Sequence, residues 1–392
     1  VKPADNVVTG TVEVVFTPDL PTDHLVFRLW PNGPRPAKAG ARLDVTATRI
    51  GNGSAPGQRP DATTLTVPVE LHAGQSVTAA VDFTLTLPRP VDDRISRTAD
   101  AIRLGSFFPI LSWEPGVGWA TEPPTSGFAE ASTVQAADFT ATVTTPPGFD
   151  VLATGVPGPA NGQWTAQAVG DFAMSVGHFR TASATTKQGT AVTVGVDAQV
   201  KDGPESYVRR IVAALEDYGN RFGPYPWPAY TMAVEPNLQG GIEYPMHVMQ
   251  GPGTVGRTTP HEVAHQWFYG LVENNQGRDP FLDEGLASWA EARDENTLSR
   301  FVGLAVPVTG KGHAGAPMAF WDSRQSAYYR SVYVQPVQAL AALGPPELVD
   351  CALRLYVARN AYRIARPVDL LDALKVVFPD APATLARYGI AA

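Results

Sequence analysis

Cys351 is the only cysteine in 392 residues, so no disulfide can form within the chain. No apolar run approaches the length a membrane-crossing helix needs, about 20 residues. Basic residues are outnumbered 30 to 38, and the net charge of -8 argues against a general polyanion binder. Nucleic-acid recognition motifs, internal repeats and long low-complexity segments are likewise missing. The chain opens at Val1 without a signal-like stretch, which leaves its compartment open. Glycine and proline, 36 each, are plentiful but dispersed, a pattern of rigid loops rather than disorder. Cys351 lies in a helix-like run where Leu348, Cys351, Ala352 and Leu355 share a face, so a buried core thiol is expected.

What is present divides by period. Between Val8 and about residue 200, apolar residues alternate: Val12, Val14 and Phe16, then Val77, Ala79, Val81, Phe83 and Leu85. Leu65–Leu71 alternates as well, with Pro68 and Glu70 outward, and Pro68 suits only an edge strand. Further strands are expected at 139–144 and 172–176. From about residue 202 the period becomes helical: Tyr207, Val208, Ile211, Val212, Leu215 and Tyr218 trace one face, with Pro204 in the first turn. Helices are then expected near 256–271, 280–296, 322–343, 346–359 and 367–378, with a strand at Thr231–Glu235. The expected architecture is a mainly antiparallel β domain, 1–198, followed by an α+β domain rich in helix, 199–392.

The second half carries His261-Glu262-Val263-Ala264-His265, followed by Glu284 after eighteen intervening residues. On a helix, positions i and i+4 share a face, so His261 and His265 can close on one metal ion. Glu262 points to a neighbouring sector, where a carboxylate can take a proton from water. Two histidines and a carboxylate leave one position open on tetrahedral zinc, the catalytic rather than the closed structural pattern, and one zinc per chain is expected. A local reading competes: Thr259-Pro260-His261-Glu262 has the form of a helix start, with Glu262 occupied in capping. That reading explains neither His265 nor Glu284. Asp283 is the nearest rival ligand, about 100 degrees round the helix from Glu284. Asp279 and Glu291 read as solvated or as groups that orient the ligands.

His261-Glu262-x-x-His265 with Glu284 resembles the gluzincin pattern, specifically that of the M1 family of zinc aminopeptidases. Gly240-Gly241-Ile242-Glu243-Tyr244 resembles that family's Gly-Ala-Met-Glu-Asn motif, and Phe222-Gly223-Pro224-Tyr225-Pro226 the segment before it. Tyr328-x4-Tyr333 is similar to the stretch holding the family's catalytic tyrosine. Leu104-Gly105-Ser106-Phe107-Phe108-Pro109 and Ala137-Asp138-Phe139 extend the likeness into the first half. The resemblance implies a saddle-like β domain and a thermolysin-like catalytic domain. It implies that Glu243 grips the α-amine of a peptide with a free N-terminus, that Gly240 and Gly241 align its backbone, and that Tyr333 donates to the oxyanion. Tyr244 joins the substrate-binding set by position, with Ile242 and Met246 as possible walls of a first side-chain pocket. Glu235 is either a second amine contact or structural.

Two departures stand out. Tyr244 replaces the family's asparagine, which alters the first pocket, and Val334-Gln335-Pro336 replaces Glu-Lys-Gly, which is expected to kink the helix carrying Tyr333. The chain length leaves no room for the large C-terminal helical domain of many relatives, so a more open cleft admitting longer peptides is expected. The functional expectation is a zinc aminopeptidase needing no obligatory protein partner, nucleic acid or membrane. A zinc endopeptidase of the same fold is the alternative, and a catalytically idle peptide-binding scaffold is a third.

Overall fold

The computed structural model describes residues 1–98, 101–127 and 133–392. The chain is β-rich at its N-terminal end and largely helical towards its C-terminal end. In the first part, Val7–Phe16 pairs with Val77–Thr86, which pairs with Arg42–Ile50, all antiparallel. Val8, Phe16, Ala79, Val81, Phe83 and Leu85 are buried in one core with Leu25, Phe27 and Leu65, because strand side chains alternate between two faces. Pro68 stands in an internal strand, Thr64–Leu71, rather than at a sheet edge. Its other neighbour, Gln58–Asp61, pairs only between Thr64 and Thr66, so Pro68 faces no ladder donor on that flank.

The second part is built on a five-stranded sheet in the order Phe179–Thr185, Ala191–Asp197, Ala229–Val234, His247–Gln250, Gly241–Ile242. Its first two strands precede the division expected at 198/199. They nevertheless hydrogen-bond into this sheet, and Val192, Val194 and Val196 are buried in the core of the second part. The helix Pro204–Phe222 lays Tyr207, Val208, Ile211, Leu215, Tyr218 and Phe222 on that core; proline starts it and Gly223, at φ 114°, ends it.

Three helical expectations need correction. The helix expected over 256–271 covers only Thr258–Ala264, and the chain then turns through Gly270 so that the carbonyl of Phe268 faces back to His265. The segment 322–343 is broken: Gln325–Tyr328 is followed by a π-helical turn, Tyr329–Val334, and then Gln335–Ala341. A proline ring clashes with the carbonyl four residues back, here that of Val332, and widening the preceding turn relieves the clash. Cys351 is exposed rather than buried. The buried face of Pro346–Asn360 is Val349, Ala352, Leu353, Tyr356 and Val357, one helical position round from the ridge of Leu348 and Cys351.

Candidate metal centre

Thr258–Ala264 packs beside Phe281–Asp294, and the two helices bring His261, His265 and Glu284 together. His261 Nε2 lies 3.1 Å from His265 Nε2 and 3.2 Å from Glu284 Oε2, and His265 Nε2 lies 3.4 Å from Glu284 Oε2. Ligand atoms about 2.0–2.1 Å from a tetrahedral zinc are about 3.3 Å apart, so the three donors already stand at the edge length that ion requires. Both imidazoles are fixed through their other nitrogens. His261 Nδ1 donates to Glu291 Oε2 at 3.1 Å, and His265 Nδ1 donates to the carbonyl of Phe268 at 3.1 Å. That leaves each Nε2 as the metal-facing atom. Glu291, buried and held by Arg257 Nε at 2.7 Å, is thus an orienting group.

The charge balance points the same way. Burial pulls the His261 imidazolium down, but hydrogen bonds to Glu284 and Glu291 override it and hold its pKa well above the usual value. His265 behaves similarly, burial being outweighed by Glu243 and Glu284, at about 9. Burial raises Glu284, yet its two histidine partners bring it down to about 2. A cation on these donors replaces the protons that otherwise neutralise them.

Glu262 is buried beside the triad, and the edge strand Gly241–Ile242 passes directly over it. A Cβ on Gly241 would lie 2.4 Å from Glu262 Cγ and Cδ, so only glycine lets the strand approach this carboxylate. Gly240, at φ 91°, makes the turn into that strand. The helix-start reading of Thr259-Pro260 does not hold: the helix begins at Thr258, and the Thr259 hydroxyl is engaged by Gln250 at 2.9 Å. Asp283 is turned away, accepting from Gln276 at 2.8 Å and from the Glu284 N–H at 2.8 Å. Asp279 pairs with Arg278 at 3.2 Å.

Glu243 is buried, and its Oε1 has no hydrogen-bond partner among the described residues. Burial, opposed by His265 and reinforced by Glu284 and Glu262, holds its carboxyl up at about 8. Tyr333 donates to Glu284 Oε1 at 2.5 Å, and its ring stacks on His261 at 5.7 Å between centroids. Burial and the neighbouring Glu284 raise the phenol well above its ordinary range, so it stays a donor. These groups line a cleft of about 530 Å³, walled by Trp30, Gly33–Pro36, Asp93 and Arg94 of the β-rich part and by Tyr328 and Tyr329 opposite.

Two expected contacts lie elsewhere. Tyr244 does not reach the cleft: its ring is buried over Gly105, where a Cβ would fall 2.3 Å from the phenol oxygen, and that oxygen sits 3.1 Å from Ser106 Oγ. Glu243 lines the cleft, while Tyr244, the next residue along the chain, faces Gly105 and Ser106 of the β-rich part. Glu235 is buried against Arg103 at 3.5 Å, a structural pairing rather than an amine contact. Arg103, fully buried, also donates to the carbonyls of Val91, Asp93, Pro236 and Asn237. No short motif announces it, since its partners lie up to 134 residues away.

The architecture and the His-His-Glu centre define a two-part metallopeptidase fold. The M1 zinc metallopeptidase of Deinococcus radiodurans superimposes with a TM-score of 0.69 at 18% identity, covering 100% of this chain and 91% of that one. A variant of that enzyme bound to a Tyr-Ser-Ala substrate gives 0.70 at 20% identity, covering 100% and 92%. The chain therefore has the fold of the M1 zinc metallopeptidases. By sequence it is similar to endoplasmic reticulum aminopeptidase 1 of Rattus norvegicus, 29% identical over 136 residues, which is 30% of this chain and 15% of that protein. It is also similar to aminopeptidase B of Homo sapiens, 24% identical over 234 residues, 48% of this chain and 36% of that protein. The matched stretches thus span well under half the length of these relatives. No family model matches the chain.

Proposed function

We propose that the chain is an M1-family zinc aminopeptidase that removes N-terminal residues from peptides, its two parts being separate domains divided just before Phe179. The observation that carries this reading is the buried Oε1 of Glu243 beside the metal triad, which has no hydrogen-bond partner among the described residues. A carboxylate so placed needs a cation, and a peptide's α-ammonium supplies one while setting which bond lies over the centre. The matched relatives carry aminopeptidase names, and solved structures of the same fold hold L-arginine or Tyr-Ser-Ala, which fits a site for amino termini.

Zinc held by His261, His265 and Glu284 would supply Lewis acidity to the scissile carbonyl and acidify a water molecule. Glu262 takes the proton of that water as it attacks and passes it to the departing amine. Tyr333 turns its O–H from Glu284 to the carbonyl oxygen as negative charge develops there. Glu243 keeps the ammonium in place, so only the first peptide bond is presented.

The test is a peptide and its N-acetyl twin, incubated with zinc-loaded protein and followed by mass spectrometry. Stepwise loss of single residues from the free peptide alone is expected. Internal cleavage of both would make the protein an endopeptidase and remove the assigned role of Glu243.

A further inference from the structure

Resting on the aminopeptidase reading, we infer that Arg35 and Arg94 form a second anchoring site in the cleft, which receives the carboxylate of a three- or four-residue peptide. Both arginines line the same cleft as Glu243 and the metal triad, on the wall supplied by the β-rich part. The edge strand Gly241–Ile242 has a ladder partner on one side only, among the described residues, and its other edge faces the cleft. A peptide that puts its ammonium on Glu243 and also pairs along this edge must run antiparallel to it. Its C-terminal end is then carried back past Gly240 towards Gln239.

That end of the strand is joined to the arginine wall. The Gln239 N–H donates to Asp92 Oδ1 at 2.9 Å. Arg35 Nη2 donates to the Asp92 carbonyl at 2.7 Å, and its Nε lies 3.4 Å from Asp93 Oδ2. Arg94 follows in the chain. Arg103, whose fork grips the carbonyls of Val91 and Asp93 on one side and Pro236 and Asn237 on the other, welds the two segments at a fixed separation. Gln239 and Glu243 are four residues apart, at most about 14 Å of extended chain, and an extended tripeptide reaches about 10 Å. A peptide of three or four residues therefore carries its terminal carboxylate to the wall that bears Arg35 and Arg94, whose positive charge attracts it.

The site predicts a preference that zinc and Glu243 alone do not impose. Initial rates are compared for a tetrapeptide as free acid, as C-terminal amide, and as an amide ending in glutamate, and each is also titrated into the Glu262→Gln variant to read binding apart from turnover. The expected result is that amidation raises KM and Kd about tenfold or more, that a terminal glutamate side chain restores part of this, and that kcat moves little. In Arg35→Gln/Arg94→Gln the acid and amide should converge. Equal handling of acid and amide by the wild type, with single N-terminal residues released, overturns this inference and leaves the aminopeptidase reading intact. A preference that persists in the double variant overturns the assignment to these arginines. Failure to release N-terminal residues from any of the three defeats both readings together.

Discussion

Gly285 and Pro336 are in direct contact: a Cβ on the glycine would lie 2.6 Å from Pro336 Cβ and 3.2 Å from the carbonyl oxygen of Val332. Gly285 follows the ligand Glu284, and Pro336 stands three residues after Tyr333. Their approach sets how closely the phenol meets the metal centre. Gly285→Ala gains about 1 kcal/mol of helix propensity, but overpacking at such a contact costs about 1–3 kcal/mol. A net loss of stability in urea unfolding, accompanied by a fall in kcat as Tyr333 is displaced, is the expected outcome. Unchanged stability and unchanged kcat would mean that the contact does not position Tyr333.

Tyr333→Phe separates the proposed donor from the packing of its ring. Stacking on His261 survives the change, while the O–H that bonds Glu284 is lost. Removing one oxyanion donor costs about 10²–10³ in kcat. Zinc affinity and KM should stay within a few-fold of the wild type. A variant that keeps full kcat would take the tyrosine out of the mechanism and leave it a packing residue.

Glu291 joins two roles, accepting from His261 Nδ1 and from Arg257 Nε. Glu291→Gln keeps the shape and drops the charge. Changes of this kind beside a metal-bound histidine reduce affinity about 10–100-fold. Competition for zinc against a chromogenic chelator measures it, and an unaltered zinc Kd would show that His261 needs no such partner.

What was legible beforehand was local. His261, Glu262 and His265 are spaced by the helix itself, so neighbours in sequence predict neighbours in space, and Glu284 lies in the first turn of the next helix. The alternation of Val77–Leu85 likewise fixed a strand and its buried face. Misreadings arose where a distant segment decides. Tyr244 faces Gly105 and Ser106, and nothing within its own motif says so. Cys351 lies one helical position off the buried face: it shares an apolar ridge with Leu348 and Leu355, yet Leu348 stays exposed and only Leu355 packs partly on the core. Arg103, Arg35 and Arg94 match no pattern, and their geometry exists only once the β-rich part is seated against the sheet.

His247 supplies a pH prediction away from the metal. It is fully buried, its Nδ1 2.7 Å from Thr231 Oγ1 and its Nε2 3.3 Å from Ser175 Oγ. Burial lowers its pKa from the ordinary 6.5 to about 3. The folded state therefore keeps the ring neutral where the unfolded chain binds a proton. The contribution is complete above pH 6.5 and is lost as the pH falls towards 3, at about 1.4 kcal/mol per unit. Between pH 6.5 and 4.5 that amounts to about 2 kcal/mol. Urea unfolding of wild type and His247→Gln over this range isolates it, since loss of zinc in acid weakens both proteins alike. The variant, less stable at neutral pH, should have the flatter profile, so that the gap narrows on acidification. Parallel profiles would mean that His247 takes up a proton in the folded protein as readily as in the unfolded chain, and that its two hydroxyl partners do not keep it neutral.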